Sequence, residues 1–383
     1  MDHLAKPQPP AAEMPLRQRA SFHNENRFKI GLFGINCSSG RTATQVPERW
    51  SGNWRDNLRL AQMADDAGID FLLPIGRWKG YGGDTDFEGE ALEAITWATG
   101  VLATTRRITA FATVHVPLIH PIVAAKQIAT ADHIGEGRFG LNIVCGWNED
   151  EFDMFGVTQR EHQSRYEYAQ EWIDAVKLMW SDEEEFAFDG AFVKLKGVRS
   201  KPKPYGGSRP VLMNAGASGV GQSFAIRNCD ALFTGLGNTS YDELTTHIAK
   251  VKDIAGKEGR DLDVYSVAVV TCRPTMQEAM DYDHHATQER ADWGAIENIM
   301  RMRGTQIDGI RPEELEANRR RWSRGVGGYP IIGDPDHVAD ELTRLAAAGL
   351  KGLGISFVNY ADELPFFVQE VLPRLARRGL RAA

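Results

Sequence analysis

The feature that most constrains this chain is an alternation. Short apolar runs rich in β-branched and aromatic residues are separated by longer stretches whose apolar residues recur at helical spacing. The runs are Phe28–Ile35, Phe71–Ile75, Ile108–Thr113, Gly140–Val144, Val211–Asn214, Ala231–Thr234, Val264–Cys272 and Gly352–Phe357. Helices are predicted at Trp54–Ala67, Glu90–Thr104, Ile122–His133, Gln163–Trp180, Tyr241–Glu258 and Pro335–Ala348, the first ending at Gly68, a natural helix stop. Strands that alternate with helices, without a separate block of strands, belong in a parallel sheet covered by those helices. Eight strand–helix units over about 350 residues fit an α/β fold, a (β/α)8 TIM barrel with insertions. The rival is an open doubly wound sheet, which often carries a G-x-G-x-x-G turn after its first strand. Here that turn reads Gly34-Ile35-Asn36-Cys37-Ser38-Ser39-Gly40, which lacks the pattern.

Two segments interrupt the repeat. Phe186–Phe188 and Phe192–Leu195 flank Asp189-Gly190, a strong hairpin signal. The long polar stretch 276–328 is predicted to be a helix-rich insertion, made basic by Arg301, Arg303, Arg319, Arg320, Arg321 and Arg324, with Gly325-Val-Gly-Gly328 as a hinge. Residues 1–27 hold four prolines, Pro7, Pro9 and Pro10 among them, and several charges but no apolar core, so they read as a flexible arm, or one ordered by a neighbouring subunit, and not as a secretory signal. The rest, 28–383, reads as a single domain.

Charge and cysteine content narrow the function. There are 52 acidic residues against 44 basic ones, a net charge of −8, which disfavours a nucleic-acid partner. No run approaches the roughly 18 apolar residues of a membrane span. The four cysteines are far apart, with no metal or disulfide spacing, and fit a reduced cytoplasm.

In a barrel the site lies where the strands end. Asn214-Ala-Gly-Ala-Ser218-Gly219 follows a strand and opens a helix, and reads equally as a phosphate cradle or as a tight turn with a serine cap. Arg165-Tyr166, at the start of a helix, is suited to a phosphate, although a surface arginine beside a core tyrosine is the commoner case. Asn142 lies within a strand, where its carboxamide needs partners. His115 and His120 are wrongly spaced for a helical metal pair, and H-E-x-x-H, G-x-S-x-G and the Walker loop are all missing. No metal is expected.

Several ordered motifs then carry a resemblance. They are Leu73-Pro-Ile-Gly-Arg77, His120-Pro-Ile-Val-Ala-Ala-Lys-Gln-Ile-Ala-Thr130, Gly137-Arg-Phe-Gly-Leu-Asn142-Ile-Val-Cys-Gly-Trp147, Ser164-Arg-Tyr166, Ala215-Gly-Ala-Ser218 and Ile332-Gly-Asp-Pro-Asp-His-Val-Ala-Asp340. Over about residues 28–375 the chain resembles the bacterial luciferase-like flavin-dependent monooxygenases, nearest in pattern to the alkanesulfonate and dimethylsulfone monooxygenases and the pyrimidine oxygenase. The resemblance implies reduced FMN, supplied by a separate NAD(P)H:flavin reductase, with dioxygen as co-substrate. Gly76, Arg77, Asn142, Glu151, Arg165, Tyr166, Ser218 and Gly219 match flavin-contact positions. Thr113 and Asn142 match the pair flanking the dioxygen pocket, and are the expected catalytic residues.

The resemblance thus implies a two-component monooxygenase that cleaves a C–S, C–N or ring bond of a small heteroatom-containing molecule. Val267–Val270, where the alkanesulfonate enzymes carry charged residues, has none here, so a neutral or heteroaromatic substrate is expected. Trp78, Tyr81 and Trp147 are candidates for sandwiching a ring. The insertion corresponds to the lid of relatives. A cytoplasmic homodimer or homotetramer is expected. The alternatives are a deazaflavin-dependent oxidoreductase on the same barrel and a non-catalytic flavin-binding protein.

Overall fold

The computed structural model describes residues 20–181, 184–216, 218–236, 239–304 and 311–382. Within these the eight expected strands appear, and all run parallel. They are β1 (Lys29–Phe33), β2 (Phe71–Leu73), β3 (Thr109–His115), β4 (Phe139–Val144), β7 (Val211–Asn214), β8 (Ala231–Thr234), β9 (Asp263–Cys272) and β11 (Gly352–Ser356). They pair in the order β1-β2-β3-β4-β7-β8-β9-β11, and β11 returns to β1, with Lys29 opposite Gly352. The sheet is therefore a closed (β/α)8 barrel. Closure removes every strand edge, and each strand is buried on both faces.

The helices lie outside. They include α1 (Trp54–Asp66), α2 (Ala94–Leu102), α3 (Pro121–Ile134), α4 (Glu149–Met154), α5 (His162–Trp180), α6 (Gly219–Asn228) and α7 (Tyr241–Lys257). The main core fills the space between them and the strands, with Leu60, Trp97, Ile128 and Trp172 among its buried residues. The hairpin forms as β5 (Phe186–Asp189) and β6 (Lys194–Val198), tied by Gly190 N–H donating to Val193 O. After β9 the insertion folds as α8 (Met276–His284), α9 (Trp293–Met302) and α10 (Pro312–Ser323). It then adds β10 (Tyr329–Gly333), a strand the sequence did not signal. β10 pairs with the last five residues of β9, beyond Ser266, the last residue that β8 pairs. The chain closes with α11 (Pro335–Ala347), α12 (Tyr360–Glu370) and α13 (Leu372–Arg377).

The barrel interior is packed at one end and open at the other. Phe22, Phe71, Phe111 and Tyr265 fill the end where the strands begin, Phe22 stacked on Tyr265 at 5.1 Å and edge-on to Phe111 at 5.2 Å. These rings fit because small residues face them: a Cβ on Gly31 would stand 2.3 Å from the Phe71 ring, and one on Gly140 2.5 Å from Phe111.

Of the expected arm 1–27, residues 1–19 lie outside the described residues. From Ala20 onward the chain packs against its own barrel. Ser21 N–H donates to Arg107 O, Phe22 N–H donates to Thr109 Oγ1, and buried Asp70 accepts from Asn24, Asn26, Ile30 N–H and Arg381. A polar, proline-bearing segment conceals one aromatic plug, and only tertiary structure reveals it. Phe22→Ala is expected to cost about 3–5 kcal/mol of stability through the cavity it opens. Urea unfolding checks this, and a loss below about 1 kcal/mol would show that the plug is dispensable.

Candidate active site

At the open end, one cavity is lined by residues from the ends of β1, β2, β3, β4 and β7, from the start of α5, and by Arg303 just beyond α9. Its lining includes Gly76, Arg77, Thr113, Asn142, Arg165 and Tyr166, all expected site residues. His115, His162 and Arg41 also line it, and the sequence reading gave them no role there; Arg303 lines it too, one of the arginines of the expected lid-like insertion.

Thr113 and Asn142 are register partners across β3 and β4. Thr113 O–H donates to Pro74 O at 2.6 Å, and a carbonyl can only accept. The hydroxyl's proton is therefore committed, and Asn142 Nδ2 must be the donor in its 3.0 Å contact with Thr113 Oγ1. That fixes the carboxamide orientation and leaves Asn142 Oδ1 buried with no protein partner. An unpartnered buried carbonyl costs on the order of 1–3 kcal/mol, so this acceptor is suited to an N–H or O–H from a ligand.

The start of α5 faces the start of α6. Ser218 caps α6, its Oγ accepting from Gly221 N–H at 3.1 Å. The serine is thus the helix cap foreseen as one alternative, and His162 Nε2 also reaches it at 3.0 Å. Arg165 can only donate, so its 3.2 Å contact with His162 Nδ1 makes that nitrogen the acceptor and places the imidazole proton on Nε2, toward Ser218. Arg165 also donates to Gly146 O, and its Nε is buried without a partner. Tyr166 adds a phenol beside Ser218, pushed up to about 12 by burial and so kept protonated. Gly221 makes room for it: a Cβ there would meet the phenol oxygen at 2.5 Å. Gly219 opens α6 with free space at its Cα. Together these form a group of donors at a helix N-terminus, a setting suited to a phosphate.

Arg77 and Glu151 have a different place. Arg77 is almost wholly enclosed by protein partners: Nε donates to Glu88 at 3.0 Å, Nη1 to Glu151 at 3.2 Å and Nη2 to the Tyr81 hydroxyl at 2.6 Å. Burial opposes its charge, but Tyr81, Glu88 and Glu151 more than offset this and hold its pKa above the ordinary arginine value. Glu151 also accepts from Trp78 N–H at 2.9 Å, and Glu88 from Arg41 Nη1 at 2.5 Å. The pairs form one buried chain, Arg41–Glu88–Arg77–Glu151, across the loops that follow β1, β2 and β4. Tyr81 and Trp147 stack beside it, 6.5 Å apart, while Trp78 lies outside the cavity, exposed against Phe155.

His115 lies close to Gly76, where a Cβ would come within 2.9 Å of the imidazole. Burial lowers its pKa to about 4, against the pull of Glu151 at 3.9 Å and with the push of Arg77. Burial likewise raises the Cys145 thiol to about 12, so it is no thiolate nucleophile. Among the described residues there is no cluster of histidine, cysteine and carboxylate groups placed to hold a metal ion.

Comparison with known proteins places the chain among relatives. Residues 29–352 match the family model described as luciferase-like monooxygenase. The chain is 28% identical over 359 residues to an FMNH2-dependent dimethylsulfone monooxygenase of Pseudomonas putida, covering 90% of this chain and 94% of that one. It is 26% identical over 363 residues to the pyrimidine monooxygenase RutA of Acinetobacter baylyi, covering 92% and 95%. Among solved structures, riboflavin lyase (RcaE), with modified FMN and riboflavin, superimposes with a TM-score of 0.83 at 21% identity over 93% of each chain. DmoA of Hyphomicrobium sulfonivorans superimposes with a TM-score of 0.82 at 18% identity over 93% of this chain and 89% of that one.

Two outcomes test the buried charges. Glu88→Gln leaves Arg41 without a carboxylate and Arg77 with Glu151 alone, and is expected to cost about 3–5 kcal/mol, read by denaturant unfolding. A near-wild-type midpoint would show that the two arginines do not depend on it. For His115, the unfolded imidazole takes its proton near pH 6.5, whereas the buried one resists protonation until about pH 4. The unfolded chain binds more protons in that window, so stability falls as pH drops from 6.5 to 4, by about 3 kcal/mol from this group. His115→Gln should flatten that part of the pH–stability curve, and an unchanged slope would clear His115 of the effect.

Proposed function

The chain belongs to the luciferase-like monooxygenase family, and from that premise we propose that it is a two-component monooxygenase that uses reduced FMN and dioxygen on a small heteroatom-bearing organic molecule. The observation that carries this reading is that one cavity joins two unlike ends. At one end Arg165, Tyr166 and His162 stand against the N-terminus of α6. At the other Asn142 Oδ1 is a buried acceptor without a partner. A phosphate fits the first end and an N–H of a flavin ring the second, so the residues present suit the nucleotide.

When bound, reduced FMN supplies the electrons that activate dioxygen. The residues bind, orient and exclude water. Arg165, Tyr166, Ser218 and Gly219 hold the phosphate, with His162 keeping the Ser218 hydroxyl in place. Thr113 fixes the Asn142 carboxamide so that its oxygen would be free to accept from a flavin N–H, and Gly76 would let the β2 backbone lie close to the ring. Arg77 and Glu151 act one layer behind, setting the positions of the β2 and β4 loops. Phe33, Ile75 and Val144 contribute apolar wall, which favours shielding of a reactive flavin–oxygen site from water. A C–S, C–N or ring bond is the one broken, and a separate flavin reductase provides the reduced cofactor.

The test is anaerobic titration of the apoprotein with oxidised and reduced FMN, followed by admission of air in the presence of a flavin reductase. Tight binding of reduced FMN with oxygen consumption is expected, and failure to bind FMN in either state would sink the reading. Arg165→Ala should weaken FMN about 10- to 100-fold, the worth of charge-assisted hydrogen bonds to a phosphate. An unchanged affinity would move the phosphate elsewhere.

A further inference from the structure

The insertion was expected to present a basic face, and the structure sorts its arginines. Arg301 and Arg319 both pair with Glu297, Arg320 pairs with Glu316 at 3.1 Å, and Arg324 grips both oxygens of Asp283. Arg321 lies over the Trp322 ring, outside the cavity. Arg303 is different. It lines the cavity, yet among the described residues no carboxylate and no carbonyl accepts from it. Its guanidinium lies 3.6 Å from the centre of the Trp147 ring.

That contact prepares a receptor. A guanidinium held over an indole face by cation–π attraction does not spend its N–H groups on that contact, and the contact limits the positions it samples. Trp147 is itself braced by Tyr81 and by the Arg77 guanidinium at 5.8 Å. The carboxylates nearby are already engaged, since Glu88 serves Arg41 and Arg77, and Glu151 serves Arg77 and the β2 loop. Arg165 stands at the phosphate end. This leaves Arg303 as a cation at the cavity with no internal anion, among the described residues.

We propose that the substrate is a small organic acid, bound as its carboxylate, whose charged group pairs with Arg303 while the rest of the molecule reaches into the barrel toward Asn142 and Thr113. The inference rests on reading this cavity as the flavin and substrate site. It revises the expectation of a neutral substrate, which considered only Val267–Val270. That wall is apolar, and the countercharge comes from the insertion instead. An acid entering past Arg303 is drawn in by charge and leaves its uncharged end for oxidation.

The experiment is calorimetric titration of the full chain, with and without FMN, in phosphate-free buffer at low ionic strength. The probes are benzoate against benzamide and acetate against acetamide. In the wild type at least one acid should bind about tenfold or more tighter than its amide. Arg303→Gln should bring the pair to parity and Arg303→Lys should keep part of the preference, both with unchanged FMN affinity. Equal binding of acid and amide in the wild type overturns the proposal. So does a preference that survives Arg303→Gln, or an FMN affinity that falls in that variant, which would assign the arginine to the cofactor. An Arg303-dependent acid preference in a protein that takes up no FMN would overturn the flavin reading and leave the acid site standing.

Discussion

Four charges buried in series hold the open end of this barrel together. Arg41, Glu88, Arg77 and Glu151 come from the segments that follow β1, β2 and β4, the last of them on α4, and their side chains are all nearly sealed from solvent. Removing charges from water is costly, and the cost is met only when every partner is present and well aligned. The chain therefore works as a set. It draws the loops after β1, β2 and β4 into one arrangement and so defines the wall behind the cavity. Arg41 also donates to Gly325 O at 3.3 Å, which carries the same constraint into the end of the insertion.

The insertion rests on that frame. Asp292 accepts from Thr85 N–H at 2.8 Å, Thr44 bridges to Ala291, and Asn298 donates to Tyr81 O at 2.9 Å. A small apolar cluster of Tyr81, Phe87, Ile296, Ile299 and Met300 seals the contact. The segment is thus docked over the cavity by its own core and by backbone hydrogen bonds. This docking is what brings Arg303 to Trp147.

The two ends of the barrel divide the labour. The plugged end gains stability from close packing of Phe22 and its aromatic neighbours. The open end gives up some stability, because it keeps acceptors and donors unpaired: Asn142 Oδ1, Arg165 Nε and Arg303. Such groups are tolerated where a ligand completes them, and their grouping in one cavity is what marks that cavity as functional.

The sequence by itself determined the barrel. Period and length carry that information locally, so all eight strands, the hairpin at Asp189-Gly190 and the outer helices were legible, whereas Asn142, Arg165, Tyr166 and Thr113 were singled out by the resemblance of their motifs, since their positions alone left the commoner structural readings open. Only tertiary structure decided the rest. Glu88 is an acidic residue in a loop, and nothing near it in the chain marks it as buried between two arginines. Phe22 lies in a polar, proline-bearing segment and becomes core only because the barrel bottom is open to it. Arg303 was one of six similar arginines, told apart because it alone of them lines the cavity, without a carboxylate partner among the described residues. Local propensity acts between residues close in sequence, whereas burial, ion pairing and the lack of a partner are set by residues as distant as the paired Asp70 and Arg381, 311 positions apart.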